Sequence, residues 1–185
     1  GSRVTLSTST ISGNSASDGG GVWSRTYDSS QLTLTNSTVT GNSASRGGGM
    51  QKVTRDSSHM TLNNNTVSGN SAQDGGGVWS LTGETSQMAL SHSTVTGNSA
   101  SYGGGVFDIV RDSSQLTLSS STVTGNSALV GGGVYSLARN TGQVMLQRML
   151  IAGNRAESGA EVAQFHYNAG GFFNSTFNLF GHSGL

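Results

Sequence analysis

The chain has 185 residues, and nine basic and nine acidic side chains bring its net charge to zero. That is enough length for one domain with its own core, but the balanced charge leaves no footprint for a nucleic-acid backbone or an anionic membrane surface. Cys and Pro are absent while Gly numbers 29, which excludes a disulfide scaffold, a thiol nucleophile and a Cys-ligated zinc site. No apolar run approaches the ~20 residues that a membrane-spanning helix requires, so no membrane insertion by this domain is expected.

In chain order, Gly1-Ser2 reads as the remnant of a cleaved tag, followed by repeat coils over residues 3–171. The pair Gly-Asn recurs at Gly13, Gly41, Gly69, Gly97, Gly125 and Gly153, always 28 residues apart. Around each pair run three blocks, exemplified by LTLTN at 32–36, STVTGNSA at 37–44 and GGGM at 47–50. Apolar residues alternate with Ser and Thr in these blocks, the period-2 signature of a half-buried strand. Four columns are predicted to point inward: Val4 to Val144, Leu6 to Leu146, Ile11 to Ile151 and Val22 to Val162, each sampled every 28 residues. Three short strands per repeat, with like residues at one period, predict a coil that winds once per repeat and stacks like on like at ~4.8 Å. That is an all-β parallel β-helix, a solenoid of about six 28-residue coils, roughly 25–30 Å long. Sparse helix formers and the period of 2 exclude solenoids of paired helices.

The repeated Asn14, Asn42, Asn70, Asn98, Asn126 and Asn154 are expected to stack in an amide ladder at a corner, and the Gly triplets to let backbones approach. Between the Gly triplet and the next LTLT block, the segment Ser24 to Ser30 is expected to form an outward bulge or a T-shaped loop. Residues 172–185, FFNSTFNLFGHSGL, leave the repeat and are expected to cap the last coil, so that the whole chain, 1–185, is a single β-helix domain.

The repeated S-T-V-T-G-N-S-A-x-x-G-G-G-V, carried by residues 3 to about 181, resembles the repeats of bacterial polymorphic outer-membrane proteins and autotransporter passengers. It is also similar to choice-of-anchor repeats, in which a segment like Asn178-Leu179-Phe180-Gly181 ends the array. The resemblance implies a right-handed parallel β-helix from an exported protein, secreted or on the bacterial surface. It does not fix a function, because such proteins serve as adhesins, spacers and enzymes.

Two arrays are candidate binding surfaces. The residues flanking the third inward column, Thr10 and Ser12, Thr38 and Thr40, Thr66 and Ser68, Thr94 and Thr96, Thr122 and Thr124, are expected to face out in two parallel ranks, ~4.8 Å apart between coils and ~7 Å along a strand. This grid is similar to the Thr-x-Thr faces of β-solenoid antifreeze proteins, with ordinary strand surface as the plainer reading. A further rank, Thr5, Thr33, Thr61 and Thr117, is interrupted by Ala89 and Met145. The second array is aromatic: Trp23, Trp79, Phe107 and Tyr135 share one repeat position with Gln51, and either stack on sugar rings as a glycan or partner platform or pack with Val53, Leu81, Ile109, Leu137 and Phe165 under the variable loop.

Asp28, Asp56, Glu84 and Asp112 also share a position. With Arg55 and Arg111 just before two of them and Arg139 before the next position, Asn140, an Arg-Asp ladder is expected rather than a calcium site. No catalytic cluster emerges: Asp108 stands alone at its strand position, Lys52 is two coils away, and His59, His92, His166 and His182 fall at unrelated positions. The expected function is therefore non-enzymatic: an adhesin-like or structural surface domain, without cofactor or metal, whose partner is a host or environmental surface, a glycan or ice. The alternatives are an ice-binding protein and a polysaccharide-binding or polysaccharide-degrading β-helix.

Overall fold

A computed structural model describes residues 1–167 and 172–181, so the final part of the expected cap, 182–185, and the side chains of Phe165, His166 and His182 lie outside the described residues. Three parallel sheets run the length of the molecule. The first contains Arg3–Ser7, Gln31–Thr35, His59–Asn63, Gln87–Ser91, Gln115–Ser119, Gln143–Gln147 and Phe172–Thr176. The second contains the short strands Thr10–Ser12, Thr38–Thr40, Thr66–Ser68, Thr94–Thr96, Thr122–Thr124, Leu150–Ala152 and Leu179–Phe180. The third contains Val22–Thr26, Met50–Thr54, Val78–Thr82, Val106–Val110, Val134–Arg139 and Val162–Tyr167. Register never slips across the first six coils: Leu62 pairs with Leu90, Val67 with Val95 and Val78 with Val106.

Alternation along each strand fills the interior. The middle coils bury Met60, Leu62, Val67 and Val78, then Met88, Leu90, Val95 and Val106, in one continuous core, each worth about 1.5–3 kcal/mol relative to exposure. The third sheet turns a third residue inward, so that Ser80 and Thr82 are buried beside Val78.

The corners follow from residues that accept left-handed backbone. The first sheet passes to the second through Asn36 (φ 51°) and its equivalents. The next residue forms a buried ladder, in which Ser37 N–H donates to Asn65 Oδ1 at 2.9 Å and Asn65 N–H donates to Ser93 Oγ at 3.0 Å. The amide ladder expected at the second corner is present. Asn70 Nδ2 donates to Asn98 Oδ1 at 2.9 Å, and Asn98 Nδ2 to Asn126 Oδ1 at 2.9 Å. In the triplet that follows, Gly47 has φ 65°, and a Cβ at Gly49 would lie 2.6 Å from the Gly77 carbonyl oxygen of the next coil. Side chains are excluded there by the stacking itself.

The expected T-shaped loop is absent. Val22–Thr26 continues as strand to the edge of the segment, and two successive left-handed residues, Asp28 and Ser29, turn the chain at once. The Ser30 hydroxyl closes that turn by donating to the Tyr27 carbonyl at 2.6 Å. The tail also differs from its sequence appearance. Phe172–Thr176 pairs with Gln143–Gln147 and Leu179–Phe180 with Leu150–Ala152, adding a partial seventh rung to two sheets. Asn178 there accepts from Met149 N–H and donates to Leu146 O, both at 2.8 Å, as Asn65 does toward Ser37 and Leu34.

Candidate binding faces of the coil

The second sheet presents a grid of hydroxyls. Thr10, Thr38, Thr66, Thr94 and Thr122 pair in one line, and Ser12, Thr40, Ser68, Thr96 and Thr124 in the other. The inward Val39, Val67, Val95 and Val123 between them are fully buried, so the flanking side chains point to solvent on either side. All ten are half-buried or exposed. The Ser68 hydroxyl donates to Thr40 Oγ1 at 3.1 Å, a bond along the rank. The grid ends in the sixth coil, where Leu150 and Ala152 take these places.

The aromatic column is a different kind of surface. Trp79 and Phe107 stack at 6.2 Å between ring centroids, Phe107 and Tyr135 at 4.8 Å, with 4° between planes in both pairs. These rings lie on the outer side of the third sheet, yet Trp79 is only 6% exposed and Phe107 9%. Residues of the preceding corner fold over them: the Arg46 guanidinium lies 5.7 Å from the Trp79 centroid, and Tyr102 meets Tyr135 edge-on at 5.9 Å. An open platform of stacked rings is therefore not formed. Trp23 alone among the four is exposed, at 55%.

Hydrogen bonds run along part of the acidic column. Asp56 N–H donates to Glu84 Oε2 at 3.2 Å, and Asn140 Nδ2 to Asp112 Oδ1 at 2.8 Å. The hydrogen bond between the Glu84 and Asp56 side chains raises the Glu84 pKa. Arg46 pairs with Asp18 at 2.9 Å, at another corner.

Lys52 and Asp108 lie inside the coil, both fully buried, in the column that carries Ser24, Ser80 and Ser136. Lys52 Nζ donates to the Gln87 carbonyl at 2.9 Å. Burial pulls the Lys52 pKa down to about 7, against the pull of Asp108. Burial pushes Asp108 up to about 7, against the nearby Ser80 hydroxyl and the Lys52 charge, and neither carboxylate oxygen is within hydrogen-bonding geometry of a partner. Alternation counted from Val78 places residue 80 and its equivalents inward, so the sequence does carry the signal for this pair. A cavity of about 730 Å³, lined by Val4, Leu6, Val22 and Leu32 among others, is the mouth of the first coil; the same columns close it further along.

Among protein families, the one described as the right-handed β-helix region matches residues 1–147. The chain belongs to the right-handed β-helix family. Neither a curated protein nor a solved structure gives a match. The right-handed β-helix family includes both enzymes, pectate-lyase-like ones among them, and non-enzymes, so membership fixes the coil of this β-helix and leaves its chemistry to the side chains.

Proposed function

We propose that this β-helix is a non-catalytic display domain of an exported bacterial surface protein, adhesin-like in action, that grips an extended periodic surface through its hydroxyl grid. The observation that carries this reading is the grid itself: ten short hydroxyl side chains keep register over five coils. Each is fixed to a hydrogen-bonded strand, so little side-chain freedom is lost on contact, and the repeat favours a partner that is itself regular. The interior positions of Lys52 and Asp108 support a non-catalytic role, since no substrate reaches them. The resemblance to surface-protein repeats supports export.

Ice is the second reading, favoured by the strict periodicity of the Thr and Ser rows, ~4.8 Å by ~7 Å. A single variant tests both. Thr94→Tyr places a ring in the fourth of the grid's five rungs and leaves buried Val95 untouched. It is expected to weaken binding ~tenfold or more, whether read as thermal hysteresis with ice shaping or as retention on insoluble polysaccharide and whole cells, without lowering the melting temperature. Retention of full binding by Thr94→Tyr would remove the grid from the interface, and wild-type protein that ignores all of these surfaces would end the display reading.

A further inference from the structure

Two neighbouring outward columns, the corner between the first and second sheets and the first line of the hydroxyl grid, are polar through the fifth coil and turn apolar by the last rung. The corner carries Asn36, Asn64, His92, Ser120 and Arg148 in left-handed backbone, and the next rung places Phe177 there, with φ 55° and 92% exposed. In the grid line, Leu150 and then Leu179 follow Thr122, at 39% and 67% exposure. Leu179 is paired with Leu150 and lies two residues from Phe177 across the corner, so the three side chains form one apolar patch.

The exposure belongs to these columns rather than to the last rung. Asn36, Asn64 and His92, each with a coil on either side, are exposed at the same corner, as is Thr66 in the same grid line. Leu150 also has a paired strand on both sides. Phe177 is unfavourable to the fold on two counts. A bulky side chain in left-handed backbone is an outlier, the kind of strain that collects at functional positions, and its ring meets water instead of the core. Asn, which this corner uses twice, accepts that backbone without either cost. The charges beside the patch have one sign: Arg148 precedes Phe177 in the corner column, is exposed, and donates from Nε to Ser120 Oγ at 3.3 Å, while neither 143–152 nor 172–181 contains Asp or Glu.

We propose that Phe177, Leu179 and Leu150, with Arg148 beside them, seat this corner of the coil on the surface of an anionic lipid bilayer. Such a seat lies in the headgroup layer, where each apolar side chain gains from burial separately and a neighbouring cation meets lipid phosphate; it needs no spanning segment. The long Arg148 side chain can follow the apolar residues down and keep its guanidinium at headgroup level. A second copy of the chain fits less well. Three side chains expose a patch no larger than an ordinary monomer carries, well short of the ~800 Å² per partner that a stable dimer buries, and a two-fold contact would bring the two copies of Arg148 toward each other. Seated at these last two rungs, the coil leaves the five hydroxyl-bearing rungs of the grid clear of the bilayer. The seat shares none of the grid's ten residues, so it stands or falls apart from the proposed function.

The test is co-sedimentation of the full chain with vesicles of phosphatidylcholine alone and of phosphatidylcholine and phosphatidylglycerol in equal parts, beside a control without lipid. Saturable binding is expected with the mixed vesicles and weaker binding with the neutral ones. Phe177→Asn restores the residue of Asn36 and Asn64, so it is expected to weaken binding to mixed vesicles ~tenfold or more while holding or raising the melting temperature. Leu179→Thr, which restores the grid residue, is expected to weaken binding in the same direction and keeps the test open should Phe177→Asn fail to fold. Arg148→Gln is expected to remove the preference for mixed over neutral vesicles. Absence of binding to the mixed vesicles, equal binding of the unsubstituted chain to both compositions, or undiminished binding by folded Phe177→Asn or Leu179→Thr protein overturns the proposal. So does a lipid-free dimer in size-exclusion chromatography that Phe177→Asn dissolves, since the patch would then be a contact between copies.

Discussion

Lys52 and Asp108 stand in a column where other coils place Ser24, Ser80 and Ser136, and all five are buried. Two ionisable groups thus replace small hydroxyls where water cannot hydrate a charge. Their effect on stability has a definite sign. Lys52 titrates near 10.5 in the unfolded chain and about 7 in the fold. Between those values the unfolded chain binds more protons, so stability rises with pH. Asp108 is raised from 3.8 to about 7; between those values the folded protein binds more protons, so stability falls as pH rises. The two slopes meet near neutrality, where the pair weakens the fold most. The double variant Lys52→Met, Asp108→Ser is expected to be more stable by about 1–4 kcal/mol near neutral pH, with the gain shrinking toward both acid and alkaline conditions. Melting curves over that range check it, and a gain independent of pH would show that ionisation is not the cause. The inward direction of this column was legible from the alternation that starts at Val78. The covering of the aromatic column was not, because Arg46 over Trp79 and Tyr102 against Tyr135 belong to a corner column that also contains Asp18, Asp74 and Val130 and so shows no repeated residue type.

At the scale of the strand and its corner, the two side-chain ladders decide where each turn falls. The one at Asn14 to Asn154 was legible because its residue never changes. The one at Ser37, Asn65, Ser93 and Ser121 changes from Ser to Asn at one coil and gives way to Met149 in the sixth, and its common feature, an oxygen that accepts the N–H of the preceding coil, emerges only from the geometry. Ladder members are coupled unequally to the rest. Asn98 accepts from both Asn70 N–H and Asn70 Nδ2 and donates to Asn126 Oδ1 and to the Val67 carbonyl. Asn98→Ala therefore leaves two buried donors and a carbonyl unmet, at a cost of about 3 kcal/mol or more. Asn14, in the exposed first coil, donates only to Asn42 Oδ1, and Asn14→Ala is expected to cost less than about 1 kcal/mol. Denaturant titrations of the two variants compare them directly; equal losses would mean that the ladder is not what fixes the corner.

Across the whole molecule, each coil is bonded only to the coil before and the coil after it, so stability is a chain of neighbour interfaces and the ends are its weak points. The period of 28 made this architecture readable, since an unbroken period in three strand blocks admits no other stacking. The final rung was hidden because its spacing from the sixth coil is 29, as in Gln143 pairing with Phe172 and Leu150 with Leu179, and because phenylalanines replace the usual Leu and Val. That rung has a consequence for solubility. Phe173 packs against the core, and Phe172–Thr176 and Leu179–Phe180 satisfy the outer edges of Gln143–Gln147 and Leu150–Ala152. Deleting residues 172–185 would bare two unpaired parallel edges beside the ends of the Val144, Leu146 and Ile151 columns, the kind of edge that adds a strand from another chain. The truncated protein is expected to self-associate in size-exclusion chromatography and to melt earlier, with amide protection lost first in Gln143–Gln147 and Leu150–Ala152 and retained in the coils around Leu90 and Val95. A truncated protein that stays monomeric with an unchanged melting temperature would show that the sixth coil closes the solenoid by itself.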